Sequence, residues 1–314
     1  RWGTHPRLPR TYELPMRLSI RPTALLATAL VSLLAAACSV TTTEPPADGG
    51  TGPTPTGTST GPGPTPSAGP NVIGAGGIAA WDALTDKDAI KAFPSLYLHQ
   101  SVGQDLEDGA EAIGFGFEYY GPGQAPNSVV NGLNGGLFAD VGPTDNGKPI
   151  SKMNVVRREF QKQKGKLKVM TFSFGYADVM DTVDDGGSVP LDRVLSEYKK
   201  LVDEVKAAGV RFVHVTPPLV FDPSTNAPKM KMRAYMLETF KDDKIFDLTD
   251  IESLDGGARC EKGGVWHICQ ANRSTAACPS KSQGVDGDGQ GHLCSTKAAE
   301  LSKALLYSLY LAGK

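Results

Sequence analysis

The sequence predicts an α/β domain: a parallel sheet of about five strands with helices on both faces. Three observations carry this. Strand-like apolar runs and helix-like amphipathic runs alternate about five times between residues 95 and 310, as in strands joined by helical crossovers. Leu167 to Phe174 is a nearly continuous apolar run, expected of a strand covered on both sides. Pro190 to Ala208 carries Leu191, Val194, Leu195, Tyr198, Leu201, Val202 and Val205 at helical spacing, and Gly209 stops it.

The chain has 314 residues, and its first part is expected to stand outside this domain. Met16-Arg17 opens a positively charged segment that includes Arg21, and Ala24 to Ala37 is small and apolar, ending at Cys38. This reads as a signal peptide whose apolar part is too short to span a bilayer as a mature helix. It resembles a bacterial lipoprotein signal, which implies lipidation of Cys38; Ala35 stands where such signals usually carry Leu. The plainer reading is cleavage after Ala37 with Cys38 a free thiol. Residues 1–15 precede the expected start and are assigned no fold, so 1–38 is set apart. Residues 39–70 are mostly Thr, Pro, Gly and Ser and bury too little apolar surface to order themselves, so they form a disordered tether. Residues 71–314 suit one domain with a sizeable core.

Within that domain, Trp81 and Asp86–Phe93 are expected in a short helical lead-in. Leu96 to Leu98 ends the first strand, Ser101 stands at its junction with a loop, and Gly103 to Ile113 follows as a helix. Phe115 to Tyr120 is expected as the second strand. Gly121 to Gly147 is Gly-, Pro- and Asn-rich and reads as a long loop of the functional kind. Ser151 is the expected cap of a helix carrying Met153, Val156 and Phe160 on one face. The strand Leu167 to Phe174 ends in Gly175-Tyr176-Ala177-Asp178. After the long amphipathic helix come a strand at Val210 to Thr216, a helix at Lys229 to Phe240 and a fifth strand at Lys244 to Leu248. Residues 255–294 form a cysteine-rich loop, and Ser295 to Leu311 a final amphipathic helix.

In such sheets ligands bind beyond the carboxyl ends of the strands. Ser101 and Gly175 to Asp178 both stand there. A Ser at a strand–helix junction can present its hydroxyl to a cleft while its own N–H faces the same space, as a serine nucleophile needs. It is also a common helix cap. A nucleophile requires a base, and four histidines follow residue 38: His99, His214, His267 and His292. His214 lies in an apolar strand and reads as a core residue. His267, beside Trp266, is open between substrate contact and mere exposure. His99 is too close to Ser101 to align well and is expected to shape the strand end. His292 ends the Gly-rich run Asp286-Gly287-Asp288-Gly289-Gln290-Gly291. An Asp of that run, 286 or 288, is expected to hold one ring nitrogen and leave the other to take the serine proton.

Four cysteines, Cys260, Cys269, Cys278 and Cys294, crowd the C-terminal segment. They imply two disulfides in an oxidising compartment, with three pairings open. Zinc is disfavoured because gaps of 8, 8 and 15 residues lack close Cys pairs. The Asp286 run imitates the start of a calcium loop, but its twelfth position is Lys297, where a bidentate Glu is required. No metal or other cofactor is therefore expected. The net charge is −2 and no basic run interleaves with aromatics, which argues against nucleic acid. A monomer is expected.

Together these residues resemble the SGNH/GDSL hydrolase superfamily over roughly 95–310, in particular a divergent secreted bacterial branch whose first block is His-x-Ser-Val-Gly. The matching stretches are His99-Gln100-Ser101-Val102-Gly103, Phe246-Asp247-Leu248 through Ile251-Glu252-Ser253, and Gly291-His292-Leu293. The resemblance implies a three-layer α/β/α flavodoxin-like fold and hydrolysis of esters, often acetyl or acyl groups on glycans or lipids. It implies Ser101 as nucleophile and first oxyanion donor, His292 as base and Asp288 as orienting acid, with Gly142 as a further backbone donor. His99 and Asp178 are the remaining cleft candidates; Asp178 could equally cap its own segment. Three departures stand out: His99-Gln100-Ser101 replaces Gly-Asp-Ser, Ala177 replaces the oxyanion Asn, and three residues rather than two separate Asp288 from His292. Loss of one oxyanion donor costs on the order of 100-fold in rate.

Two functions are carried forward. One is a serine esterase or deacylase, exported to the bacterial cell envelope, meeting the membrane only through its lipid anchor and acting on a small-molecule or glycan ester. The other is a non-catalytic glycan-binding lipoprotein on the same fold.

Overall fold

The computed structural model describes residues 69–124, 127–287 and 290–314. The signal segment, Cys38, nearly all of the tether, and Asp288 lie outside the described residues.

In chain order the strands are β1 (Val72–Ile73), β2 (Pro94–His99), β3 (Glu118–Tyr119), β4 (Gly132–Leu137), β5 (Val169–Phe172), β6 (Thr182–Asp184), β7 (Ser188–Pro190), β8 (Arg211–Val215) and β9 (Lys244–Phe246). The helices are α1 (Gly76–Ala83), α2 (Val102–Ala112), α3 (Phe138–Val141), α4 (Pro149–Gln163), α5 (Leu191–Ala207), α6 (Ala227–Thr239), α7 (Leu248–Glu252) and α8 (Ser295–Gly313). One sheet runs β1-β9-β8-β5-β2-β4-β3 with every neighbouring pair parallel. Its five inner strands, β4-β2-β5-β8-β9, follow the flavodoxin-like order. β6 and β7 make a separate antiparallel hairpin, and two more short antiparallel pairs, Leu254–Asp255 with Ala258–Arg259 and Glu261–Lys262 with Val265–Trp266, lie in the cysteine-rich segment.

The sheet is covered on both faces because β2 alternates. Leu96 and Leu98 join Met170, Phe172 and Phe212 in a core with α4, α5 and α6. Tyr97 joins Val169, Val213 and Val215 in a second core with α1, α2 and α8. This period of two, with apolar residues on both sides, is what a central parallel strand requires.

The expected five strands become seven in the sheet. The larger correction is β4, which lies inside the stretch read as loop. Gly132-Leu133-Asn134-Gly135-Gly136-Leu137 has the composition of a turn, yet Gly132 to Gly136 are buried. The glycines answer close approach: a Cβ on Gly136 would lie 2.3 Å from the Tyr120 carbonyl oxygen, and one on Gly135 2.8 Å from Glu107 Oε2. Buried Asn134 serves the local backbone, donating to the carbonyls of Ser95 and Val130 and accepting from Val130 N–H. The expected second strand contracts to the two edge residues of β3. Ser151 is not a cap: α4 begins at Pro149, and Ser151 N–H and Oγ donate to Asp185 at 2.9 and 2.6 Å. The lead-in comprises α1, which holds buried Trp81, and a short 3-10 turn at Lys87–Ala92.

The order of strand addition switches sides at β2. The connection after it leads to β4 on one side, and the chain then crosses to β5 on the other. The crevice beyond the carboxyl end of β2 is thus the topological switch point, where open α/β sheets bind ligands.

Candidate active site

Ser101 stands in that crevice between β2 and α2, with φ 59° and ψ −118°. It is the only non-glycine residue with positive φ among the described residues. An L-residue is strained there, and such strain is stored at sites where surrounding structure over-determines the backbone. The turn is tight because Gly103 follows two residues later. A Cβ at Gly103 would lie 2.4 Å from His99 Cβ and 2.8 Å from both Ser173 Oγ and Tyr97 Oη. Ser101 does not cap α2 with its side chain. Its Oγ lies 3.0 Å from His292 Nε2 instead.

His292 is 6% exposed and Asp105 1%. His292 Nδ1 lies 2.9 Å from Asp105 Oδ2. The same carboxylate accepts from Leu293 N–H at 3.0 Å and from Ser280 Oγ at 2.5 Å. Asp105 therefore occupies the place expected of an Asp in the loop before His292. Asp286 is close, but its Oδ2 accepts the His292 backbone N–H at 2.8 Å rather than a ring nitrogen. Burial pushes the Asp286 carboxyl above its ordinary range, opposed chiefly by that N–H, with His292 and Arg273 acting in the same direction.

Asp105 carries one local signal, its spacing from Ser101, which does not reveal its pairing with His292. It follows Ser101 by four residues, so it lies one helical turn further along the same face of α2. A search confined to the neighbourhood of His292 passes over it. Tyr176 is the second residue missed. Its ring meets His292 edge-on at 5.9 Å and 82°.

The other candidates serve the scaffold. Gly142 N–H donates to the Phe138 carbonyl at 2.8 Å, so it is spent within α3 and not offered to an oxyanion. Asp178 is a buried anchor. Its Oδ2 accepts from Lys152 Nζ and Gly175 N–H, both at 2.7 Å, and its Oδ1 from Gly147 and Lys148 N–H at 2.8 and 3.2 Å. These bonds tie the Gly175 to Asp178 turn to the start of α4. His99 is fully buried with Nε2 2.5 Å from Glu107 Oε2. His214 is a core residue held by Tyr198 and stacked on Phe240. His267 packs edge-on against Phe221.

The side chains of Lys152 and Asp178 are both 0% exposed. Removing one member of such a pair leaves an uncompensated charge in the interior. Lys152→Met is expected to lower unfolding free energy by about 3–5 kcal/mol, measured by urea denaturation. A neutral result would mean that the three backbone N–H groups satisfy Asp178 unaided.

Two disulfides form, Cys260–Cys269 and Cys278–Cys294. The second joins the segment bearing Ser280, which donates to Asp105, to the residue two beyond His292. The Ser274 N–H also donates to the His292 carbonyl at 2.7 Å. The bridge closes a 16-residue separation, so Cys278→Ser with Cys294→Ser is expected to cost about 3 kcal/mol of stability.

A serine hydroxyl hydrogen-bonded to an imidazole whose far nitrogen meets a buried carboxylate can lose its proton to that imidazole while the carboxylate stabilises the cation formed. Such a hydroxyl can attack an acyl carbon.

No family model matches the chain, and no curated protein matches it. Solved structures similar to it include the following two. One, from Bacteroides fragilis, is described as a candidate acylhydrolase, with 11% identity and a TM-score of 0.44, covering 74% of this chain and 97% of that one. The other, from Streptococcus pneumoniae, is described as a candidate platelet activating factor, with 11% identity and a TM-score of 0.42, covering 74% of this chain and 91% of its own.

Proposed function

We propose that the protein is a serine hydrolase of the SGNH type, an esterase or deacylase. In this reading Ser101 is the nucleophile, His292 the base and Asp105 the orienting acid. The single observation that carries it is the continuous hydrogen-bonded series from Ser101 Oγ through both nitrogens of His292 to Asp105. The strained backbone at Ser101 supports it, since a mere cap has no need of positive φ.

Ser101 Oγ attacks an ester carbonyl while its proton passes to His292 Nε2. Asp105 holds the Nδ1 proton in place and stabilises the imidazolium. His292 then protonates the leaving alcohol, and water hydrolyses the acyl-enzyme by the same route in reverse.

Incubation with a fluorophosphonate probe, followed by peptide mapping, tests this. A single adduct on Ser101, together with turnover in a screen of short aryl esters and acetylated sugars, is expected. An unlabelled wild-type protein overturns the reading.

Two observations favour a non-catalytic glycan-binding function instead: Ala177 offers no side-chain donor, and the Gly142 N–H is engaged elsewhere. That function predicts sugar binding without turnover, unchanged by His292→Ala. The persistence of the complete Ser–His–Asp series supports the enzyme over it. The two disulfides support an exported protein, since such bridges persist in oxidising compartments. Anchoring through a lipidated Cys38 is part of the proposal; it predicts incorporation of labelled palmitate that Cys38→Ala abolishes.

A further inference from the structure

The proposed chemistry leaves one role without a side chain. An oxyanion forms as Ser101 attacks, and donors must face it. Ala177 has only a methyl group, and Gly142 has spent its N–H. We propose that the Tyr176 hydroxyl donates to the oxyanion, acting beside the Ser101 N–H in place of the absent amide. This inference rests on the serine-hydrolase reading of the same site.

Position argues for it first. β5 pairs with β2 through Leu98 and Phe172, so the residues beyond β5 emerge next to the turn that carries Ser101. Tyr176 is the side chain of that turn whose ring reaches His292. The oxyanion grows on the carbon that bonds to Ser101 Oγ, beside the imidazole whose ring Tyr176 meets. Rigidity argues for it second. Asp178 accepts Gly175 N–H at 2.7 Å and donates its own N–H to the Gly175 carbonyl at 3.0 Å. Tyr176 is thus carried on a closed turn fastened by the buried Lys152 ammonium, and it needs little reorganisation as charge develops. Protonation agrees. Burial, then the negative charges of Asp286 and Asp105, push the phenol above its ordinary range, with Ser101 opposing. The group is therefore a neutral donor.

The step balances without a proton from Tyr176. The Ser101 Oγ–C bond forms, the Ser101 proton goes to His292 Nε2, and the carbonyl π pair moves onto oxygen. There it accepts hydrogen bonds from Tyr176 Oη–H and Ser101 N–H. On collapse that pair re-forms the carbonyl, the bond to the leaving oxygen breaks, and His292 returns the proton to that oxygen.

Tyr176→Phe and Tyr176→Ala, each checked for an unchanged fold by circular dichroism, separate donation from packing. The primary readout is the second-order rate of fluorophosphonate labelling at Ser101, which needs no knowledge of the natural substrate. Tyr176→Phe keeps the ring against His292 and loses only the hydroxyl. Its labelling rate is expected to fall about 100-fold. With a short aryl ester, kcat should fall by a similar factor at nearly constant KM, and affinity for a phenylboronic acid, a tetrahedral mimic, should weaken in parallel. If Tyr176→Phe labels at the wild-type rate while Tyr176→Ala does not, the ring merely positions His292 and the proposal is overturned. A wild-type protein that does not label removes the hydrolase reading itself, and this inference with it.

Discussion

Ser101→Ala is expected to abolish fluorophosphonate labelling and to lower ester turnover by about a million-fold, to the residue left by substrate binding and oxyanion contacts. The measurement is single-turnover hydrolysis of an aryl ester, with the labelled peptide mapped in parallel. Undiminished turnover would transfer the chemistry to another group. The same position tests the backbone. At φ 59° an alanine keeps the strain of an L-residue, whereas a glycine does not. Ser101→Gly is therefore expected to be more stable than Ser101→Ala by about 1 kcal/mol, a rise of about 2–4 °C in melting temperature for a domain of this size. Equal melting temperatures would show that the turn relaxes freely and stores nothing.

Asp105→Asn is expected to lower kcat by about 10⁴-fold, as loss of the orienting carboxylate does in a serine-protease triad. The physical reason is charge. Asp105 Oδ2 faces His292 Nδ1 at 2.9 Å with both residues buried, so the imidazolium formed during attack has its counter-charge beside it. An amide can still accept from Leu293 N–H and, with Ser280 rotating its hydroxyl, still fit. The protein should fold, and the deficit should sit in kcat. Asp286→Asn and Asp288→Asn are the controls. Asp286 meets His292 through its backbone N–H and pairs with Arg273 at 3.6 Å, so its neutral variant should lose far less kcat than Asp105→Asn. If Asp288→Asn carried the large loss while Asp105→Asn turned over normally, the acid would be the one that the family resemblance implies.

Much of the fold was legible because it rests on local patterns. The apolar run before Phe174 and the heptad-like stripe of α5 each state their own burial. β4 was not legible, because Gly135 and Gly136 are chosen by what presses on them, Glu107 and Tyr120, and not by any strand propensity. The hydroxyl and imidazole were identifiable as types, each beside glycine and each at a segment boundary. Their partner carboxylate was not. Proximity along the chain favours Asp286 or Asp288, whereas α2 delivers Asp105 from beneath the nucleophile. Gly142 failed for the converse reason: a glycine N–H in a loop is free on paper, and here a short helix consumes it.

Composition and periodicity alone establish a layered α/β domain with helices on both faces, and they single out a serine at a strand end and a histidine before the last helix. Such features are properties of short stretches, and short-range physics suffices for them. Which acid meets the histidine, which glycines are a strand, and which phenol packs against the histidine are decided by elements up to nearly two hundred residues apart packing into one crevice. Contact between distant segments leaves no period in the chain, so only the folded arrangement of β2, β5, α2 and the loop before α8 assigns them.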